Sequence, residues 1–209
     1  MVEADKEAKK AAKEKQKKEE AAALTLLRDP KFLFLLCQRI GEGGVTGEHR
    51  NRLVVYLSCL TCVLEKVVSV LIKGPTSTGK NNLAKAVLAL VPTERVLARS
   101  SFSNTALVYG SDDLAGKVLY LVEHRAGRDA QLFARLLQSE GALQHEVTTG
   151  RKTQVATRLG APVFLSTTTD EKVYADDETR FLSLRADDSP ALTRDIVRAQ
   201  FTQKRMEGK

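Results

Sequence analysis

The residues best suited to chemistry lie at positions 74–80, where the chain reads Gly-Pro-Thr-Ser-Thr-Gly-Lys. A glycine-rich turn with this spacing lets successive backbone N–H groups surround phosphate oxygens, and the lysine adds a point charge. We expect the Lys80 ammonium to contact the β- and γ-phosphates of a nucleoside triphosphate, and to be exposed without ligand. The predicted nucleotide-binding residues are those of the turn and the two that follow it: Gly74, Pro75, Thr76, Ser77, Thr78, Gly79, Lys80, Asn81 and Asn82.

The metal chemistry of this turn departs from the usual pattern at the next residue. A Ser or Thr normally follows the lysine and holds Mg²⁺ through its hydroxyl, whereas this chain has Asn81. An amide oxygen is also able to bind Mg²⁺, so Asn81 is the candidate metal ligand, and ATP with Mg²⁺ are the expected cofactors. Because the amide is not the usual group, nucleotide binding is a firmer prediction than efficient hydrolysis.

A candidate catalytic carboxylate closes an apolar stretch further along the chain. Residues 118–122 read Val-Leu-Tyr-Leu-Val and are followed by Glu123. The spacing from Lys80 suits the strand beside the phosphate-binding turn, and in ATPases with such a turn that strand ends in Asp-Glu. Only the Glu is present here, because Val122 stands at the Asp position. We predict that Glu123 activates the attacking water; the alternative is a strand that simply ends at a charged residue.

The elements around these residues alternate between strand and helix. The β-branched stretch 67–72 predicts a buried strand before the turn, and 82–90 predicts a helix after it. Further strands are expected at 96–99, 117–123, 161–166 and 181–184, and Ser189 with Pro190 is typical of a helix start. This alternation predicts an α/β fold, in which helices cover both faces of a parallel sheet.

A β-hairpin is predicted just before the strand at 161–166. Two alternating runs, 142–148 and 151–158, flank a Thr-Gly turn. The predicted tip carries Arg151 and Lys152, which are the candidate DNA-binding residues. A solvated hairpin with basic residues is the equally weighted alternative.

The order of these motifs resembles the AAA+ ATPase core of the P-loop NTPases, in the branch that carries a hairpin before sensor 1. The chain is also similar to the ATPase module of primase- and helicase-like replication proteins of phages and mobile elements. Over roughly residues 24–205, the resemblance rests on the following stretches: 27–30 (Leu-Arg-Asp-Pro), 74–80, 139–141 (Ser-Glu-Gly), 166–169 (Ser-Thr-Thr-Thr), 178–180 (Glu-Thr-Arg) and 188–189 (Asp-Ser).

The resemblance implies further roles. Thr168, or its neighbours Thr167 and Thr169, would be sensor 1 and orient water near the γ-phosphate. Arg180 would be an arginine finger that reaches the nucleotide of the next subunit, which implies a ring oligomer, expected to be a hexamer. The alternative for Arg180 is a surface arginine paired with Glu178. DNA, and a primase or other replication protein, are the other partners that the resemblance suggests.

Composition sets the domain boundaries and the cellular setting that we expect. The chain has 209 residues and a net charge of +7, and residues 1–23 are dominated by Lys, Glu and Ala. We predict a charged extension at 1–23, a helical lead-in at 24–66 and the nucleotide-binding core at 67–209, with a shortened helical lid. The sequence offers neither an 18-residue apolar run nor a signal peptide, so a cytoplasmic protein without a membrane partner is expected.

Three functions are compatible with these residues. The first is a DNA-acting ring motor, a helicase or translocase of a mobile element, that hydrolyses ATP. The second is a nucleotide-dependent switch or assembly scaffold with weak hydrolysis, which Asn81 and Val122 favour. The third, a small-molecule kinase, is disfavoured by the hairpin and Arg180.

Overall fold

The computed structural model of the chain describes residues 2–99, 110, 113–122, 137, 141–149, 152–169 and 180–207. By their internal contacts, Met1–Arg39 and Ile40–Lys209 form two compact units. Boundaries at residues 23 and 66 remain predictions from composition.

The first unit is helical. It contains α1, Val2–Leu27, and most of α2, Phe32–Glu42. Helix α1 is stabilised by side-chain pairs one turn apart, such as the hydrogen bond from Gln16 Nε2 to Glu20 Oε1 at 3.0 Å. The long charged helix therefore follows from local propensity and i,i+4 pairing.

The second unit is built on a five-stranded parallel sheet. Its strands are β1 Ser69–Lys73, β2 Val96–Arg99, β3 Val118–Leu121, β6 Val163–Thr168 and β7 Phe181–Arg185. Their order in the sheet is β2-β3-β6-β1-β7. Two helices, α3 at His49–Leu60 and α4 at Lys80–Leu88, precede and follow β1, and α5 is Pro190–Glu207.

The centre of this sheet is buried on both faces, which explains its continuous apolar strands. All residues of β3 and β6 are buried, and Val70, Leu71 and Ile72 of β1 are at most 1% exposed. Helix α3 contacts β1 and β6, and also packs against α4. The predicted α/β fold with a parallel sheet is confirmed.

The order of the strands is decided by the tertiary structure. Strand β6 lies between β1 and β3 and pairs with both. In register, Ile72 of β1 faces Thr167 of β6, and Leu121 of β3 faces Ser166. Spacing along the chain cannot distinguish two apolar strands that are candidates for the same position. The pairing is decided by which crossover packs on the sheet.

The predicted hairpin is present as a separate two-stranded sheet of β4, Ala142–Thr149, and β5, Lys152–Leu159. Its strands are antiparallel, and the last pair is Thr149 with Lys152. The chain returns directly into β6, with Gly160 N donating to Gly141 O at 2.8 Å across the base of the hairpin. This bond closes the base of the hairpin, three residues before β6 begins.

Candidate functional site: the phosphate loop and the strand ends

The phosphate loop joins the carboxyl end of β1 to the first turn of α4. Gly74 N donates to Thr168 O at 3.2 Å, so the start of the loop is fixed to β6. Gly79 is the N-cap of α4, with φ 80°, and its carbonyl accepts from Leu83 N at 2.9 Å. The loop therefore presents the N-terminal end of a nine-residue helix, which is where an anion binds best.

Lys80 is buried against its own loop. Its side chain is only 7% exposed, and Nζ donates to Gly74 O at 2.7 Å and to Pro75 O at 2.5 Å. A third contact joins Nζ to Thr78 Oγ1 at 3.3 Å. Burial lowers the pKa of Lys80 below its ordinary value. The expectation that this lysine is exposed without ligand is thus wrong, because the loop carbonyls give the ammonium an internal partner.

Asn81 is bound to β6 through its side chain. The Thr167 hydroxyl lies 2.5 Å from Val122 O and 2.8 Å from the Asn81 side-chain amide, and its single proton goes to only one of the two. The Tyr120 hydroxyl donates to Asn81 Oδ1 at 3.5 Å, and burial raises the pKa of Tyr120, so the phenol keeps its proton. These contacts connect the first turn of α4 to β6 and to the end of β3.

A cavity of about 280 Å³ opens between the loop and the ends of the strands. It brings together four of the nine predicted nucleotide-binding residues and the threonines at the end of β6. Its lining consists of Thr76, Ser77, Lys80, Asn81, Val122, Thr167, Thr168 and Thr169. Asn82 contributes differently from the prediction, because its Nδ2 donates to Gly44 O at 2.7 Å.

The threonines of β6 divide between its two faces. Successive side chains of a strand alternate, so Thr167 and Thr168 point to opposite sides. The Thr167 hydroxyl meets Asn81, whereas Thr168 contributes its backbone oxygen to Gly74 N. Both are buried, and both line the cavity together with the exposed Thr169. Thr167 is therefore the threonine whose hydroxyl the structure joins to the loop helix, while Thr168 was the first choice from the sequence.

The described lining of the cavity contains the predicted magnesium ligand, Asn81, but no carboxylate. Val122 offers an aliphatic side chain where a carboxylate is usual. The other side chains described there are hydroxyls and an ammonium. Mg²⁺ prefers carboxylate and water oxygens, and the role of Asn81 as its ligand stays a prediction.

Arg180 lies away from this site. It precedes Phe181, which pairs with Ser69 at the amino end of β1, whereas the phosphate loop leaves the carboxyl end. The length of β7 alone separates the two edges by roughly 13 Å. Arg180 is exposed, so a role at the nucleotide of another subunit stays a prediction.

Two predicted site residues, Glu123 and Arg151, lie outside the described residues, and Lys152 is described only as the first residue of β5. The role of each stays a prediction. In the described part of the chain, no group of three or more His, Cys, Asp or Glu is arranged to hold a metal ion.

The cysteines are buried thiols. Burial, with a further contribution from Cys62, raises the pKa of Cys59 to about 12. Such a thiol remains protonated and is neither a nucleophile nor a ready metal ligand.

The sequence did not reveal a second cavity, of about 290 Å³, at the first residue of the loop. It is lined by Lys73, Gly74, Ser183, Leu184 and Arg185. Lys73 and Arg185 are register partners at the carboxyl ends of β1 and β7. In the sequence, this cavity was indicated only by a basic residue at the end of β1 and another at the end of β7. The pairing of these two strands is what brings the basic residues together.

Comparison with known proteins agrees with this geometry. None of the curated proteins matches the chain. None of the described helices combines the length and apolar character that crossing a membrane requires. The family model described as the MTBMA_p00010 P-loop domain matches residues 14–209, nearly the whole chain. With a phosphate loop between a buried parallel strand and a helix, the chain belongs to the MTBMA_p00010 P-loop domain family.

Proposed function

We propose that this protein is a nucleotide-dependent switch that binds ATP at the Gly74–Lys80 loop and hydrolyses it slowly. The observation that carries the proposal is that Asn81 and Val122 line the cavity beside the loop, at the positions where a hydroxyl and a carboxylate usually support Mg²⁺. The loop offers an ammonium and a helix N-terminus to phosphates, while the groups that assist metal-dependent hydrolysis are reduced. The state that such a switch reports is whether its site holds nucleotide, and rapid turnover is not needed.

Assembly with further copies of the chain is the output that we propose for this switch. Large apolar side chains are exposed in the second unit: Val155 is 56% exposed, Leu159 69% and Phe201 72%. Contiguous apolar surface favours a protein interface, and Val155 and Leu159 lie on the same face of β5, so we propose the hairpin as the surface of assembly. The change in assembly on ATP binding would be measured by analytical ultracentrifugation.

ATP binding is tested at Lys80. Lys80→Ala, and Lys80→Met which keeps the aliphatic stem, should abolish ATP binding in calorimetry while circular dichroism reports an intact fold. Lys85→Ala is the matched control, because it removes an exposed lysine from the same helix. Undiminished affinity in a folded Lys80 variant would rule out the site.

The second candidate is an ATP-hydrolysing AAA+ ring that acts on DNA in replication of a mobile element, working with a primase or similar protein. The hairpin β4–β5 favours it, because the chain runs from this separate two-stranded sheet directly into β6, whose threonines lie beside the loop. In this candidate Glu123 activates water. Two results would favour the motor over the switch. The wild type would hydrolyse ATP rapidly when DNA is present, and Glu123→Gln would bind ATP but no longer hydrolyse it.

DNA contact by the hairpin is proposed with that candidate. Replacing Arg151 and Lys152 together with Ala should weaken binding about equally for all sequences, because phosphate contacts carry no sequence information. The slope of log affinity against log salt should fall by roughly one to two units per engaged subunit. Unchanged affinity and slope would leave the hairpin as a solvated turn.

A further inference from the structure

We propose that Thr78 is a positioning residue that holds Lys80 against the loop in the free protein, so that ATP gains the ammonium only after it is released. The inference rests on the ATP binding proposed above and goes beyond it, because it assigns the free loop a closed state. We call the contacts that hold the ammonium the latch. They join Lys80 to Gly74, Pro75 and Thr78.

The latch uses the full hydrogen-bonding capacity of the ammonium. A lysine ammonium carries three donor hydrogens and no acceptor. Its nitrogen donates to Gly74 O at 2.7 Å and to Pro75 O at 2.5 Å. The third acceptor is Thr78 Oγ1, at 3.3 Å. Each hydrogen therefore has a partner within the loop, and a phosphate oxygen has to displace at least one of these partners.

Thr78 joins the two ends of the latch. Its hydroxyl has one hydrogen, which it donates to Pro75 O at 2.9 Å, so its lone pairs remain for the ammonium. Pro75 O has two lone pairs and accepts from both Thr78 and Lys80. The donors and acceptors are thus balanced, and the Thr78 hydroxyl takes part in two of the four bonds.

The partners of the ammonium lie outside the described lining of the cavity beside the loop. Lys80 itself lines that cavity of about 280 Å³, whereas Gly74, Pro75 and Thr78 do not belong to the lining that the structure describes. Lys80 is also only 7% exposed. A nucleotide in the cavity therefore gains this charge only when the latch opens. The apparent affinity is reduced by the fraction of molecules whose latch is closed.

The inference is tested by the association and dissociation rate constants of mant-ATP, a fluorescent ATP analogue, measured by stopped flow. Thr78→Val keeps the shape of the side chain but removes both bonds of the hydroxyl. The association rate constant should rise by at least about fivefold, because two hydrogen bonds that close the free loop are lost. The dissociation rate constant should stay within about twofold of the wild type, because the latch is already open in the bound state.

Thr202→Val is the matched control. It removes a hydroxyl that also donates to a backbone carbonyl, Arg198 O at 3.0 Å, but lies in α5. Both of its rate constants should equal those of the wild type. An association rate constant that does not rise in folded Thr78→Val would overturn this inference alone. If neither the wild type nor Thr78→Val binds the analogue or ATP, the proposed function falls together with it.

The latch also has a readout that needs no nucleotide. Thr78→Val should lower the free energy of unfolding of the free protein, as measured by urea denaturation. In the Lys80→Met background the same change should lower it less, because the contact between the hydroxyl and the ammonium is already absent. Equal losses in the two backgrounds would show that Thr78 does not hold Lys80, and would overturn the latch.

Discussion

The buried ammonium of Lys80 has a consequence for the pH dependence of binding. In the free protein its pKa is lowered by burial, and the negative phosphates of a bound nucleotide would raise it again. Only the protonated form attracts phosphate. ATP affinity should therefore fall as the pH rises through the lowered pKa, in the alkaline range below 10.5, the ordinary value for lysine. Calorimetry across this range would measure the decline.

Lys80→Arg provides the comparison, because arginine does not titrate there. Its affinity, although weaker overall, should be constant over the same range. An equal decline in both proteins would place the titrating group elsewhere.

The backbone conformation of Ser77 lowers the stability of the folded protein. It has φ 67°, a left-handed conformation in which a Cβ is crowded. Ser77→Gly should therefore raise the free energy of unfolding by about 0.5–1 kcal/mol, as measured by urea denaturation. The same change at Ser58, within α3, should lower it by about 1 kcal/mol. A loss of stability at both positions would show that the conformation of Ser77 is not strained.

At the scale of elements, the junction between the hairpin and β6 depends on Gly160. Its φ is 89°, and an added Cβ would lie 2.7–2.8 Å from atoms of Ala115, two of which are backbone. Gly160→Ala should thus destabilise the protein by more than about 2 kcal/mol, since strain and a backbone clash add. Thermal and urea unfolding would measure the loss.

Gly141, across the base of the hairpin, is the matched control. Its φ of 64° is similarly positive, but an added Cβ would meet no atom within 4 Å among those described. Gly141→Ala should therefore cost only the conformational strain, about 1 kcal/mol. Equal losses at both glycines would show that the hairpin is not packed against Ala115 in this way.

At the scale of the whole molecule, Arg180 and the phosphate loop lie at opposite edges of the sheet. Mixing subunits of two variants is therefore the informative test of its role. If Arg180 acts on the nucleotide of a neighbour, Arg180→Ala should bind ATP nearly normally but lose whatever turnover the wild type has, by several orders of magnitude as fingers do elsewhere. Steady-state hydrolysis and nucleotide affinity would both be measured.

Mixing Arg180→Ala with Lys80→Ala should then restore part of the activity, because each variant supplies the half that the other lacks. Turnover per subunit that does not change on dilution to monomer would contradict a shared site. In that case Arg180 would be a surface residue at the amino edge of the sheet.

The sequence by itself determined the phosphate loop, the α/β class and the hairpin. Each depends on local signals that survive in any context: glycines where φ must be positive, apolar runs long enough for strands, and alternation around a Thr-Gly turn. The loop at Gly74–Lys80 and the helix after it begin within two residues of their predicted positions.

Only the tertiary structure decided which strand neighbours β1, and with it the chemistry of the site. The insertion of β6 between β1 and β3 brings Thr167 to Asn81, and the parallel pairing of β7 with β1 places Arg180 at the amino edge of the sheet. Lys80 is buried because its loop folds back on it. The contact between Thr167 and Asn81 joins residues far apart in the chain, about which local spacing carries no information. The contacts of Lys80 are local, but they depend on how the loop folds, which the motif alone does not specify.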